Sequence, residues 1–168
     1  AKAYIQYQLG ALLAFCRASG VSMHHVKPHG ALYNMAAKDE KLARAIVEGI
    51  CEVDDRLTLL ALSGSEMLLA AEKAGLRAAS EVFADRAYQA NGTLVPRSQP
   101  GAMITDENEA IARVVRMVTE GVVTSIDGID VPLRADSICV HGDGAKALLF
   151  VQKIRAALEE KGVALKAL

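Results

Sequence analysis

Leu57-Thr58-Leu59-Leu60-Ala61-Leu62, followed at once by Ser63-Gly64-Ser65, is the stretch on which the fold turns. The run is too short for a helix of its own and is apolar at nearly every position, so it reads as a strand buried on both faces, which is the pattern of a parallel sheet covered by helices. Ser63-Gly64-Ser65 turns the chain into a helix that stops near Gly75, and Arg77 to Phe83 reads as the next strand. On the other side, Asp39 is placed to cap a helix whose Leu42, Ile46, Ile50 and Val53 share a face. A strand, a helix and a second strand joined in this order need a crossover connection, and the α/β class follows.

Working outward, Ile5, Leu9, Leu12 and Cys16 mark one face of a first helix that Gly20 ends, and Val21 to Val26 reads as a strand leading into Lys27-Pro28-His29-Gly30. Beyond Phe83 comes Ala84-Asp85-Arg86, then an aperiodic loop from Ala87 to Thr105 with Gly92, Pro96, Pro100 and Gly101. Asp106 with Glu109 forms a capping-box pair ahead of a helix with Ile111, Val115 and Val118 on its apolar face, closed by Gly121. Asp127-Gly128 fits a hairpin turn. Ser137 to Val140 reads as a strand that delivers His141-Gly142-Asp143-Gly144 to a last helix with Ala147, Val151, Ile154 and Leu158 aligned. Val163 to Leu165 is expected to add one short strand.

Composition limits the functions available. The 168 residues fit a single domain, and 52% apolar with 23% charged residues is a globular balance, neither disordered nor membrane-spanning. With a net charge of −1 and both signs interspersed, no basic surface is expected to grip nucleic acid or an anionic membrane, so the partners are small molecules or proteins. Cys16, Cys51 and Cys139 are far apart in apolar stretches, which fits reduced, buried thiols and a cytoplasmic location. The chain opens inside a helical pattern without a leader-like segment, from which an absent upstream portion is expected.

Polar groups close four of the strands: Lys27 with His29, Ser63 with Ser65, Asp85 with Arg86, and His141 with Asp143. Ligands in parallel α/β folds bind at the C-terminal ends of strands, so these sets are expected to converge on one site. Asp85 is the first choice for a general base or metal-linked carboxylate. His141 with Asp143 suits an acid/base pair or metal ligands, and Asp143 suits a helix cap equally. His24 and His25, read as neighbours within a strand, should face opposite sides of the sheet. Tyr33 and Tyr88 read as packing residues with satisfied hydroxyls.

Four strings, Lys27-Pro28-His29-Gly30-Ala31-Leu32-Tyr33, Glu81 to Tyr88, Gly92 to Ser98, and Val140 to Gly144, resemble the LamB/YcsF family in order and spacing. That resemblance implies an incomplete, irregular (β/α) barrel of the glycoside hydrolase and deacetylase kind, and work with subunits B and C of an enzyme that opens the lactam of 5-oxoproline to glutamate with ATP. The family's N-terminal acidic and His-containing motifs have no counterpart here. A resonance-stabilised lactam is opened more readily once its oxygen is phosphorylated, so the site should hold phosphate charge. Lys27, Arg86 and Arg97 are the motif cations, Arg97 for the substrate carboxylate, with Ser98, Gly142, Asp143 and Gly144 beside them. Lys27, His29, Asp85 and His141 are the catalytic candidates, with no resident metal assigned and Mg²⁺ admissible alongside ATP. No Walker motif is present.

Two other readings remain: a metal-dependent, deacetylase-like hydrolase with His29, Asp85 and His141 as ligands, and a non-catalytic scaffold subunit. Too few strands are found to close a barrel, so open edges and a homo-oligomer, or recruitment of the absent segment, are expected unless the first helix covers the gap.

Overall fold

The computed structural model describes residues 1–142 and 147–168. The chain divides into two compact units, Ala1–Ser80 and Glu81–Leu168. The α/β class holds, with parallel strand pairing in each unit.

In the first unit, α1 (Lys2–Ala18) is followed by β1 (His25–Val26), α2 (Ala31–Ala36), α3 (Glu40–Asp54), β2 (Thr58–Leu62) and α4 (Glu66–Ala74). β1 pairs with β2 in parallel, His25 opposite Thr58. The Leu59 amide donates to the Arg77 carbonyl at 2.8 Å just ahead of β3 (Ala78–Phe83), which runs across the division between the units. Four of the five residues of β2 are buried, as the apolar run requires. The Asp39 carboxylate accepts from the Leu42 amide at 3.0 Å, starting α3 where expected. α3 buries Ala43, Ile46, Val47, Gly49 and Ile50, and α1 packs on it through Ile5 and Leu9. That crossing depends on Gly49: a Cβ there would lie 3.1 Å from the Lys2 carbonyl oxygen and 3.2 Å from the Ile5 Cβ.

Two expectations fail in this unit. The strand at Val21 to Val26 shortens to His25–Val26, and a short helix, α2, follows the Lys27-Pro28-His29-Gly30 turn. His24 lies outside the strand, so alternation does not separate it from His25, and the two rings meet edge-on with centroids 5.8 Å apart.

In the second unit, the end of β3 pairs in parallel with β6 (Ser137–Cys139), and α5 (Glu107–Thr119), β4 (Val122–Thr124), β5 (Asp130–Pro132) and α6 (Ala147–Glu160) complete the described elements. The Asp106 carboxylate accepts from the Glu109 amide at 2.8 Å, so the capping pair starts α5 as read. The stripe buried by α5 is Ala110, Val114 and Met117, one residue round from the expected face, while Ile111, Val115 and Val118 pack along its flank. Two adjacent apolar rows on one helix leave the sequence unable to say which goes deepest. α6 contributes Ile154 and Leu158 to the same core, whereas Val151 is 46% exposed. β4 and β5 form the expected antiparallel hairpin around Asp127-Gly128.

Val163 to Leu165 is not a strand. Gly162, at φ +76°, lets the Val163 amide donate back to the Leu158 carbonyl at 3.0 Å while its own amide reaches Glu159 at 2.9 Å. This helix-ending pattern uses the amide that a strand would need.

The 87–105 segment lacks helix and strand but is ordered by its own bonds. The Ala87 amide donates to the Ala102 carbonyl and the Val95 amide to the Ala87 carbonyl, both at 3.0 Å, and Ala87, Val95 and Ala102 form a small buried cluster with Ile104 against it. The three cysteines form no disulfide among the described residues and are half-buried, less covered than their apolar settings suggest.

Candidate functional site

The strand register of the second unit builds the site. Phe83 lies opposite Cys139 in parallel strands, and the Ala84 amide donates to the Cys139 carbonyl at 3.1 Å. Counting two residues onward on each chain gives Asp85 and His141, so their juxtaposition follows from the ladder. His141 Nδ1 lies 2.7 Å from Asp85 Oδ2 and 2.9 Å from Oδ1. The pair is mostly enclosed, the side chains being 13% exposed for Asp85 and 23% for His141. The Phe83 ring stacks on the imidazole with centroids 6.0 Å apart and planes 27° apart.

On the other ring nitrogen, Arg97 Nη2 approaches His141 Nε2 at 2.9 Å. A guanidinium only donates, so Nε2 accepts, and the proton of the neutral ring sits on Nδ1, where the Asp85 carboxylate takes it. Asp85 thus orients the ring and sets its tautomer, as carboxylate partners of histidine commonly do. Asp85 also accepts the Ile104 amide through its backbone carbonyl at 2.9 Å, which ties the returning loop to the strand end independently of the carboxylate.

Beneath this layer the polar groups are buried. The Tyr88 hydroxyl accepts from the Phe83 amide at 2.9 Å, and burial pushes its ionisation well above the ordinary phenol range. Arg86 is 4% exposed and donates through Nη2 to the Val95 carbonyl at 2.6 Å, while its Nε has no hydrogen-bond partner. Burial, reinforced by the nearby Arg97 charge, lowers the pKa of Arg86, and Asp85 opposes this. Arg113 Nη2 donates to the Arg86 carbonyl at 3.2 Å, and its Nε too is buried and unpartnered. The Arg86, Arg97 and Arg113 guanidinium groups thus lie near one another, those of Arg86 and Arg113 with a buried, unpartnered Nε, an arrangement suited to an anion.

Other sequence candidates are placed as follows. Ser98 and Gly142 are not drawn into the Asp85-His141 pair, and Ser98 is exposed, as is Arg97. Asp143 and Gly144 lie outside the described residues. In the first unit, Lys27 Nζ sits 5.6 Å from the centre of the Tyr33 ring, and His29 is exposed directly after buried Pro28. Ser63 and Ser65 are buried at the end of β2. Of the strand-end sets of the second unit, Asp85 and His141 meet as partners. Among the described residues, no three His, Cys, Asp or Glu side chains are grouped to hold a metal ion. Sequence reasoning missed Phe83 as the ring under His141; an aromatic residue two positions before the candidate carboxylate was the available signal.

The whole chain, residues 1–168, matches the LamB/YcsF family. It belongs to that family. A LamB/YcsF chain has a deacetylase-like (β/α) barrel fold, with which the parallel strands and covering helices agree. Among its relatives, the 5-oxoprolinase A-subunit of Clostridium beijerinckii is 64% identical over 163 residues, 97% of this chain and 64% of that protein. The protein of the same name from Bacillus subtilis is 53% identical over 164 residues, again 64% of its length. The crystal structure of the Lactam Utilization Protein from Thermus thermophilus superposes with a TM-score of 0.88 at 46% identity, covering 99% of this chain and 66% of that one. The LamB/YcsF chain thus spans about 64% of the length of these curated relatives. No helix among its described residues is long and apolar enough to cross a membrane.

Proposed function

We propose that this chain is part of a cytoplasmic hydrolase that opens the lactam of 5-oxoproline to glutamate at the expense of ATP, acting with partner subunits B and C. The observation that carries the reading is the Asp85-His141 pair with Arg97 at its outer nitrogen, in a chain whose relatives are named for 5-oxoproline and for lactam use. Hydrolysis of an amide needs a proton acceptor for the attacking water and a donor for the departing nitrogen. Asp85 leaves His141 one working nitrogen, Nε2, to take the first proton and return it to the ring nitrogen of the lactam. Arg97, exposed on its loop, is the donor for the substrate carboxylate, and a guanidinium matches two carboxylate oxygens at once.

ATP would supply a phosphoryl group to the lactam oxygen. Water then adds to the carbon bearing that oxygen, the C–N bond breaks with the nitrogen taking the proton, and a second water releases phosphate from the resulting acyl phosphate to give glutamate. The neighbouring Arg86 and Arg97 guanidinium groups, with the unpartnered Arg86 Nε, fit such anionic groups. Mg²⁺ would arrive with the nucleotide phosphates, since such ions are held mostly by phosphate and water with one or two carboxylates.

The test is glutamate release from 5-oxoproline by the protein purified with its co-isolating subunits, with and without ATP. Release that needs ATP and disappears in His141→Ala supports the proposal. ATP-dependent release that is unaltered in His141→Ala removes this site from the chemistry, and no release at all removes the substrate.

A further inference from the structure

Among the described residues, the hydrogen-bond partner of Arg97 is a neutral ring nitrogen, His141 Nε2, at 2.9 Å. No carboxylate there comes within ion-pair distance of the Arg97 guanidinium: the nearby Asp85 carboxylate spends both oxygens on His141 Nδ1. The arginine therefore occupies the same lone pair that a general base must offer to water. As long as that bond persists, His141 is oriented but capped.

We propose that Arg97 is a substrate-released cap on His141: an anionic group on the ligand draws the guanidinium off Nε2, so the base is uncovered only when an anion has bound. This rests on the reading of His141 as the base and deepens it by making anion recognition and base exposure one event. The competition favours the anion, because a carboxylate or phosphate offers the guanidinium full Coulomb attraction and two parallel bonds, neither of which a single neutral ring nitrogen supplies. Arg86 adds to the bias. Its buried guanidinium, whose pKa is lowered first by burial and then by the Arg97 charge, repels Arg97, and an anion between them relieves this. Arg97 is exposed on the loop just after buried Val95 and exposed Pro96, so its side chain borders solvent into which it can withdraw. Meanwhile Asp85 and the Phe83 ring hold the imidazole in place, so withdrawal of the cap leaves the base aimed where it was. Arg97 is a positioning residue in this scheme, acting through His141 as well as on the ligand.

The ring nitrogens report this directly by ¹⁵N NMR of histidine-labelled protein, titrated separately with 5-oxoproline, inorganic phosphate and 2-pyrrolidinone, the lactam without a carboxylate. The expected result is a saturable shift of the His141 Nε2 resonance with an anion and none with 2-pyrrolidinone. In Arg97→Ala, Nε2 already sits at the uncapped position before any addition. A purely structural Arg97 would move neither signal. Coincident Nε2 resonances in wild type and Arg97→Ala overturn the cap. Equal shifts with 2-pyrrolidinone and 5-oxoproline overturn the anion trigger, as does an unmoved Nε2 with both anions. A response to phosphate but not to 5-oxoproline supports cap and release while removing 5-oxoproline as the ligand, which keeps this inference distinguishable from the proposed function.

Discussion

Replacing Asp85 by Asn keeps the size of the side chain and changes only what it can do for His141. In the wild type, one ring N–H faces two carboxylate oxygens at 2.7 and 2.9 Å in a mostly enclosed position. Hydrogen bonds to a charged group are worth about 1.5–3 kcal/mol and neutral ones about 0.5–1.5, so loss of the charge removes about 1–1.5 kcal/mol of orientation. At about 1.4 kcal/mol per factor of ten, this alone lowers kcat roughly tenfold. A second effect adds to it. The Asn amide can present its NH₂ to Nδ1, which favours the tautomer protonated on Nε2, and that tautomer cannot accept a proton from water or a bond from Arg97. On the proposed function, kcat for glutamate release is therefore expected to fall at least about tenfold. Stability should suffer little, because the loop is tied to the strand end by the Asp85 backbone carbonyl, which the substitution leaves in place. A loss of about 1 kcal/mol corresponds to a thermal midpoint lower by about 2–4 °C for a chain of this size. The assay pairs steady-state kinetics with thermal unfolding of the same preparation. An unchanged kcat with a midpoint lowered by more than about ten degrees would refute the reasoning, since it would make the carboxylate a structural fastening.

Tyr88→Phe leaves the buried Phe83 amide without its 2.9 Å acceptor, so it should cost about 1–3 kcal/mol of stability by denaturant unfolding, and it should lower activity through the ring that Phe83 stacks on His141. If stability is unchanged, the hydroxyl was not what satisfied that amide. Gly49→Ala gains about 1 kcal/mol of helix propensity but brings a methyl within 3.1 Å of the Lys2 carbonyl oxygen, an overpacking that costs about 1–3 kcal/mol; a net lower midpoint is expected, and a higher one would mean that α1 and α3 separate easily. The Asp130 carboxyl is held at about 2 by its bonds to Arg116 and Thr124, below its unfolded value of about 3.9, so its contribution is complete above that value and is lost as pH falls through about 2. The midpoint difference between wild type and Asp130→Asn should therefore shrink between pH 5 and pH 2; a constant difference would show that the ion pair does not hold the hairpin.

Much of the fold was legible because it rests on local chemistry. The caps at Asp39 and Asp106 each bond the amide three residues on, and the apolar run before Ser63 is a buried strand. Each of these depends on neighbours in sequence. The misses depend on something farther away. The buried stripe of α5 is chosen by what α6 and the strands present to it, and Val163 was lost to a helix-ending bond made five residues back. The site falls between these cases. Sequence marked Asp85, Arg97 and His141 and expected the strand-end sets to meet in one site, but it read His141 beside Asp143, its neighbour in the chain, which lies outside the described residues. The Asp85 partner is 56 residues away, and only the register of two parallel strands brings it within reach. Because Phe83 and Cys139 are opposite, slipping that register by one residue would put Asp85 beside Val140 or Gly142 and turn its neighbour's side chain to the other face. The core residues Val82, Phe83 and Ala84 oppose such a slip, since it would exchange their buried positions against β6. Packing in the strands thus fixes the distance between the carboxylate and the imidazole, and a substitution that loosens the strand pairing should disturb the His141 tautomer without touching either residue.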